Sequence, residues 1–245
     1  MKTLIFWSLI FSTVNALALK GNMEISYGRA ESAKTGKLLY FEKHETVFGA
    51  KNIETIKTEY FKPQNNKFAT LDSDFRVHPY LPDYTFKDDR FGREDGVKNI
   101  ENGKSLETFA KPKSDSKFKT VKRSFDKILV SGQGLHTYIH KNLRELSTKE
   151  KSTDVLFLIP MNHKAYKFEI KRMKITDQKV VFKVKIKNWF LSMFAPSLQV
   201  TYDLKSKRLL MFEGASNINS DDNKTQNVKI IYSYDKPPKG MKLNE

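Results

Sequence analysis

His136 and His140 stand four residues apart, with Arg144 a further turn on. Two imidazoles at that spacing on a helix can share a zinc ion. The residues between them are Thr137, Tyr138 and Ile139, so the glutamate that serves as base in a metalloprotease helix is missing, and no third ligand is marked. Both histidines border an apolar stripe, and a half-wet boundary position is the simpler account. Ser131-Gly132-Gln133-Gly134 has the loose outline of a nucleophile turn, but no histidine or acid is identifiable as its partner. Asp88, Asp89, Glu94 and Asp95 form a carboxylate cluster interrupted by Arg90 and Arg93. Its spacing is not that of a calcium loop, and the arginines would oppose a cation; ion pairing in a solvated loop is expected. Asp221-Asp222-Asn223 reads as a turn. The chain has no phosphate-binding glycine loop and no dinucleotide fingerprint. It contains no cysteine, which excludes thiol catalysis, Cys-ligated zinc and iron–sulfur clusters. The expectation is therefore no catalytic residue, no metal and no cofactor, with a hydrolase using His136 or His140 kept as a third reading.

Two further constellations concern binding. Lys183, Lys185 and Lys187 alternate with Val180, Phe182, Val184 and Ile186, and Lys167 and Lys171 belong to the preceding run. Alternation places the lysines on one face and the apolar row on the other. The lysine face is a solvated, aggregation-resistant surface or a docking face for anionic head groups or a glycan. Trp189 to Pro196 (WFLSMFAP) is the densest apolar stretch after residue 18. It fits a plug filling the open end of a sheet, or an apolar tip that touches lipid.

The elements that position these residues are mostly strands. Candidates are Glu24–Arg29, Lys37–Phe48, Ile53–Phe61 and Lys67–Phe75, separated by turn residues at Gly49–Asn52 and Pro63–Asn66. Val155–Ile159 is a continuous apolar run that suits a strand buried on both faces. Tyr166–Lys171 and Val180–Lys187 form a hairpin about Thr176-Asp177-Gln178. Leu198–Leu204, Arg208–Glu213 and Val228–Tyr234 continue the period of two. Residues 76–116, with Pro79, Pro82 and Pro112, break the rhythm and read as a long irregular excursion with one or two short strands. One helix is expected, capped by Ser131, with Leu135, Tyr138, Ile139, Leu143 and Leu146 on a single face. That stripe needs a partner, and the concave face of the sheet is the one available.

Met1–Ala18 reads as a cleavable signal peptide. Lys2 supplies the positive start, Thr3–Phe11 the apolar core and Ala16-Leu17-Ala18 the cleavage site. The apolar run is far shorter than the ~20 residues needed to span a bilayer. Residues 19–245 then form a single β-rich domain, periplasmic or secreted. The formal charge is +16, with Lys2 the one charge in the leader. This excess implies attraction to polyanions, and export makes nucleic acid the poorest of them.

Three strings, Gly36–Glu42, Val130–Leu135 and Leu209–Ile218, together resemble a family of exported Gram-negative proteins of uncharacterised activity. The resemblance implies a periplasmic location and carries no catalytic residues. The order of elements is also similar to the periplasmic lipoprotein-carrier half-barrels, in which a curved antiparallel sheet wraps a helical lid over an apolar cavity; that likeness is architectural. The expected fold is mainly β: an antiparallel open or partial β-barrel with one amphipathic helix packed in its concave face. The first functional expectation is a non-enzymatic protein binding a lipid-like or apolar ligand in the groove. Leu135, Tyr138, Ile139, Leu143, Phe168, Phe182, Val184 and Trp189 would line it, and Lys167, Lys171, Lys183, Lys185 and Lys187 would meet an anionic surface. The alternative is an envelope structural or interaction protein with a filled core, acting through the basic face. The sequence does not set the oligomeric state.

Overall fold

A computed structural model describes residues 22–50, 52–100, 104–124, 129–187 and 197–242. The strands are β1 (Asn22–Ser32), β2 (Leu38–Phe48), β3 (Ile53–Phe61), β4 (Lys67–Asp74), β5 (Asp83–Asp88), β6 (Arg93–Ile100), β7 (Ser105–Lys111), β8 (Lys119–Ser124), β9 (Leu129–Ser131), β10 (Thr153–Ile159), β11 (Lys164–Ile175), β12 (Lys179–Ile186), β13 (Leu198–Asp203), β14 (Leu209–Ala215) and β15 (Asn227–Ser233). Helices α1 (Gly134–Lys141) and α2 (Leu143–Thr148) lie between β9 and β10. All the strands belong to one sheet of order β8-β7-β6-β5-β4-β3-β2-β1-β15-β14-β13-β12-β11-β10-β9. Neighbours are antiparallel except β9 and β10, which the helical crossover makes parallel. The expected mainly β architecture, an open barrel-like sheet with helix, is therefore present.

The sheet is strongly curved. Register shifts between Ala30 and Glu31, Val47 and Phe48, Tyr60 and Phe61, Arg172 and Lys174, and Thr201 and Tyr202 each insert a bulge, which bends the strand and raises local twist. The rolled sheet brings its β9 edge against the other half without a ladder between them. Ser131 N–H donates to the Tyr80 carbonyl at 3.2 Å, and Tyr84 Oη lies 3.1 Å from Ser131 Oγ. Thr108 Oγ1 and His163 Nδ1 are 2.8 Å apart, next to the short 3-10 turn Pro160–Asn162. Leu129 and Leu158 share a buried cluster with Tyr84, Val97 and Leu106 of the first half. Val130 and Val155 share the other main cluster with the helices. Strand β10 is thus packed on both sides, as its unbroken apolar run requires.

Two expectations need correction. Residues 76–116 are not an irregular excursion; they carry β5, β6 and β7. The prolines fall in the connections, and the charged run Lys87–Asp95 makes the β5–β6 hairpin. Nor are Asp88 and Asp95 solvated: both are buried, in pairs with Arg90 at 2.6 Å and Arg93 at 2.8 Å. The two guanidinium groups stack on Phe68 (4.2 Å) and Phe86 (4.7 Å) and donate to the carbonyls of Asn219 and Asn217. They thereby tie this hairpin to the loop before β15.

The helix also differs in detail. The single expected segment breaks at Asn142, whose side-chain amide donates to the Tyr138 carbonyl at 2.8 Å and competes with the regular backbone ladder. Ser131 does not cap it. Its hydroxyl donates instead to the Leu158 carbonyl at 2.8 Å, and Gln133 occupies the N-cap without a side-chain cap bond. Gly134 is required at the first helical position, because a Cβ there would lie 1.8 Å from the Tyr80 carbonyl oxygen.

Candidate functional site

The apolar stripe of the helices settles on the inner face of β10–β13. Tyr138, Ile139, Leu143 and Leu146 form one buried cluster with Val155, Ile170, Val180, Phe182, Val184, Val200 and Tyr202, and Leu135 and Phe168 pack on its margin. The structure thus brings together seven of the eight residues expected to line a groove; Trp189 lies outside the described residues. They meet as mutual packing partners. Phe182 and Val184 have no exposed surface at all, and Ile139 and Leu143 keep 1% and 2%. Burying one such side chain stabilises the fold by about 1.5–3 kcal/mol. Two cavities lie elsewhere among the described residues, and none of these seven lines either. One, of about 450 Å³, is an open groove along β3–β7 lined by Lys57, Asp72 and Asp83 among others. The second, of about 270 Å³, lies at the end of the barrel beside the C-terminus of α1.

Between the helix and the first half of the sheet runs a polar chain that the sequence analysis missed. Ser73 Oγ–H donates to Gln133 Oε1 at 2.9 Å, and Gln133 Nε2–H donates to Thr58 Oγ1 at 2.9 Å. Thr58 Oγ1 lies 2.8 Å from His44 Nδ1, and His44 Nε2 lies 2.9 Å from Glu42 Oε2. The Tyr232 hydroxyl donates to the same carboxylate oxygen at 3.2 Å. With Gln133 donating to Thr58, the consistent assignment sends the threonine proton to Nδ1 and the imidazole N–H to Glu42. Hydroxyl, imidazole and carboxylate in line is the arrangement of an activated nucleophile. Thr58 is fully buried, however, and its oxygen is already engaged by Gln133, so no substrate can reach it. The chain secures the residue preceding α1 to β2, β3, β4 and β15. Gly28 makes room for the carboxylate, since a Cβ there would lie 2.8 Å from Glu42 Oε2. One signal was available: Tyr40, Glu42 and His44 alternate along β2, so two polar side chains share the inward row of Tyr40.

His136 and His140 lie on the barrel side of α1 with ring centroids 5.9 Å apart. His136 stacks on Tyr202, its Nδ1 2.9 Å from the hydroxyl. Burial, reinforced by His140, pushes His136 down to about 3. Burial also lowers His140, with Lys207 adding to the effect. Neutral imidazoles could serve a metal, but among the described residues no group of three or more His, Cys, Asp or Glu is placed to hold one.

Comparison with family models, curated proteins and solved structures yields no match.

The lysines expected to form a basic face do share the outer face of β10–β12, but unevenly. Lys167 and Lys187 both reach Asp154, at 3.0 and 2.9 Å, and Lys185 reaches Glu169 at 3.2 Å. The two lysines hold the Asp154 carboxyl below its usual range, and the Ser152 hydroxyl together with Lys185 does the same for Glu169. Lys171 and Lys183 face each other across the ladder, with no carboxylate partner among the described residues. Toward the hairpin tip, Lys174 is likewise without an ion pair among the described residues, Lys179 lies opposite Asp203 of β13 and acts on its carboxyl, and Met173 (55%) and Ile175 (45%) are exposed. Asp177 is the acid in this turn. Among the described residues, no helix is long and apolar enough to cross a membrane.

Proposed function

We propose that this protein is an exported, non-enzymatic binding protein that works through its surface, docking the β11–β12 hairpin on an anionic lipid surface. The observation that carries this reading is the division of charge on the outer face. Carboxylates neutralise Lys167, Lys185 and Lys187 at one end, while among the described residues Lys171, Lys174 and Lys183 make no ion pair; toward the tip Lys179 lies opposite Asp203, and Met173 and Ile175 are exposed. Basic residues flanking exposed apolar side chains suit an anionic membrane surface: the cations meet head groups and the apolar side chains enter the interface. The groove reading gains no such support, because its lining residues are one another's packing partners. The leader-like start at Met1–Ala18 and the charge of +16 fit an envelope setting.

Vesicle co-sedimentation tests the reading. The protein should bind vesicles containing phosphatidylglycerol and not pure phosphatidylcholine, and high salt should release it. Each lysine near such a surface contributes about 1 kcal/mol, so replacing Lys171, Lys174, Lys179 and Lys183 by glutamine should remove about 4 kcal/mol and abolish sedimentation. Unchanged binding by that variant would remove the hairpin from the account.

A further inference from the structure

The cavity at the end of the barrel has a chemical character distinct from both the core and the lysine face. It lies where the C-terminus of α1, the β2–β3 turn, the segment at Pro79-Tyr80 and the β13–β14 turn converge. Its volume is about 270 Å³, and among the described residues its charged lining consists of Lys141 and Lys207 beside His140, with no carboxylate. Neither lysine has an ion-pair partner among the described residues. Two carboxylates come near: Glu24, which acts on His140, is paired with Arg208 at 2.6 Å, and Glu54 packs against Gly49, a lining residue, without itself lining the cavity. Among the described residues neither carboxylate forms an ion pair with Lys141 or Lys207, so the described lining carries a net positive charge.

The two lysines are also positioned rather than free. Lys141 lies over the Tyr80 ring, its Nζ 5.9 Å from the centroid. Lys207 occupies a left-handed backbone conformation (φ +59°) that ordinarily belongs to glycine or asparagine. The turn imposes it. Asp203 Oδ1 accepts from Lys205 N, Ser206 N and Ser206 Oγ at 3.1, 2.7 and 2.7 Å, and Asp203 N donates to the Arg208 carbonyl at 2.9 Å.

We propose that this cavity binds a phosphate monoester carried on a small organic group, with Lys141 and Lys207 meeting the phosphate. A phosphate monoester bears about −1.5 to −2 charges at neutral pH, which two ammonium groups match, whereas a lone carboxylate would leave one of them uncompensated. Tyr80, with Phe48 and Ile53, supplies the wall for the organic part. His140, kept neutral by burial, offers an N–H without adding charge. The site does not depend on the hairpin reading; it lies on a different part of the molecule.

The test is calorimetric titration of the full chain with inorganic phosphate, glycerol 3-phosphate, glycerol, and monomeric dihexanoyl phosphatidic acid. Saturable binding of either organic phosphate with none of glycerol is expected; the soluble ester and the lipid then report which source fits better. Lys141→Gln and Lys207→Gly should each weaken binding at least tenfold. Lys207→Gly keeps the turn conformation and removes the charge, so its melting temperature should not fall. The glutamine variant of the four hairpin lysines should bind like the parent, which separates this site from the membrane reading. No binding of any phosphate, or binding that both cavity variants leave intact, overturns the proposal.

Discussion

Replacing Phe182 by alanine separates a packed interior from a ligand groove. Phe182 has no exposed surface; it packs against Tyr202 with ring centroids 6.5 Å apart and belongs to the cluster that includes Ile139, Val184 and Val200. If those neighbours are its permanent partners, the truncation loses the ring's transfer free energy and leaves a cavity that the bulged sheet closes only partly. Phe→Ala in such a site costs about 3–5 kcal/mol. Domains have net stabilities of about 5–15 kcal/mol, so the loss is a large share of the total. For a chain of this length each kcal/mol lowers the melting temperature by about 2–4 °C, so a drop of about 6–20 °C is expected. Urea unfolding followed by far-ultraviolet circular dichroism gives the free energy directly, with Met173→Ser on the exposed tip as a control that should stay within about 0.5 kcal/mol. A loss under about 1 kcal/mol at Phe182 would refute the reasoning: the ring would then border open space, and the lipid groove would be restored.

Four other outcomes follow from the same geometry. A delipidated sample should take up no fluorescent fatty acid above the level of a non-binding protein, measured by titration. Gly134→Ala places a methyl group on the Tyr80 carbonyl and should cost about 1–3 kcal/mol in urea unfolding, despite alanine's better helix propensity. Glu42→Ala leaves the His44 N–H and the Tyr232 hydroxyl without their acceptor and should cost about 1–3 kcal/mol in the same assay. The acid dependence of stability should depend on His136. Its folded pKa of about 3 lies below the ordinary value of 6.5, so the unfolded chain binds the proton first. Stability from this group is complete above pH ~6.5 and falls by about 1.4 kcal/mol per unit as the pH drops toward ~3. His136→Gln should flatten the profile between pH 6 and 4; an unchanged slope would show that the ring is not held neutral.

Much of the architecture was legible because a period of two survives in the strands that matter. Val180, Phe182 and Val184 alternate with lysines, and their inward and outward placement followed from that pattern. The run Val155–Ile159 announced a strand covered on both sides. Strands β5–β7 were hidden because their inward row includes Asp88, Asp95 and Thr108, polar residues whose partners come from elsewhere in the chain. An aspartate neutralised by an arginine that also stacks on a phenylalanine looks, in sequence, like any solvated charge run. The break at Asn142 and the bond that diverts Ser131 from capping also depend on tertiary neighbours. The interior polar chain joins Glu42, His44, Thr58, Ser73, Gln133 and Tyr232, residues spread over most of the described chain, and spacing alone could not assemble it. The pairing of Lys167 and Lys187 with Asp154 likewise required the register of β10 on β11.

The seam between β1 and β15 sets the order of events during biogenesis. Tyr27 pairs with Ser233 and Ser32 with Val228, so the first described strand is flanked on one side by the last. A chain made from its N-terminal end can zip β1–β8 together from local hairpins. It cannot join the two arms of the sheet until residues near 230 have emerged. Until then β1 offers an unsatisfied backbone edge to any neighbouring polypeptide. Cutting the chain before Asn227 would freeze it in that state, with β1 and β14 both left as bare edges.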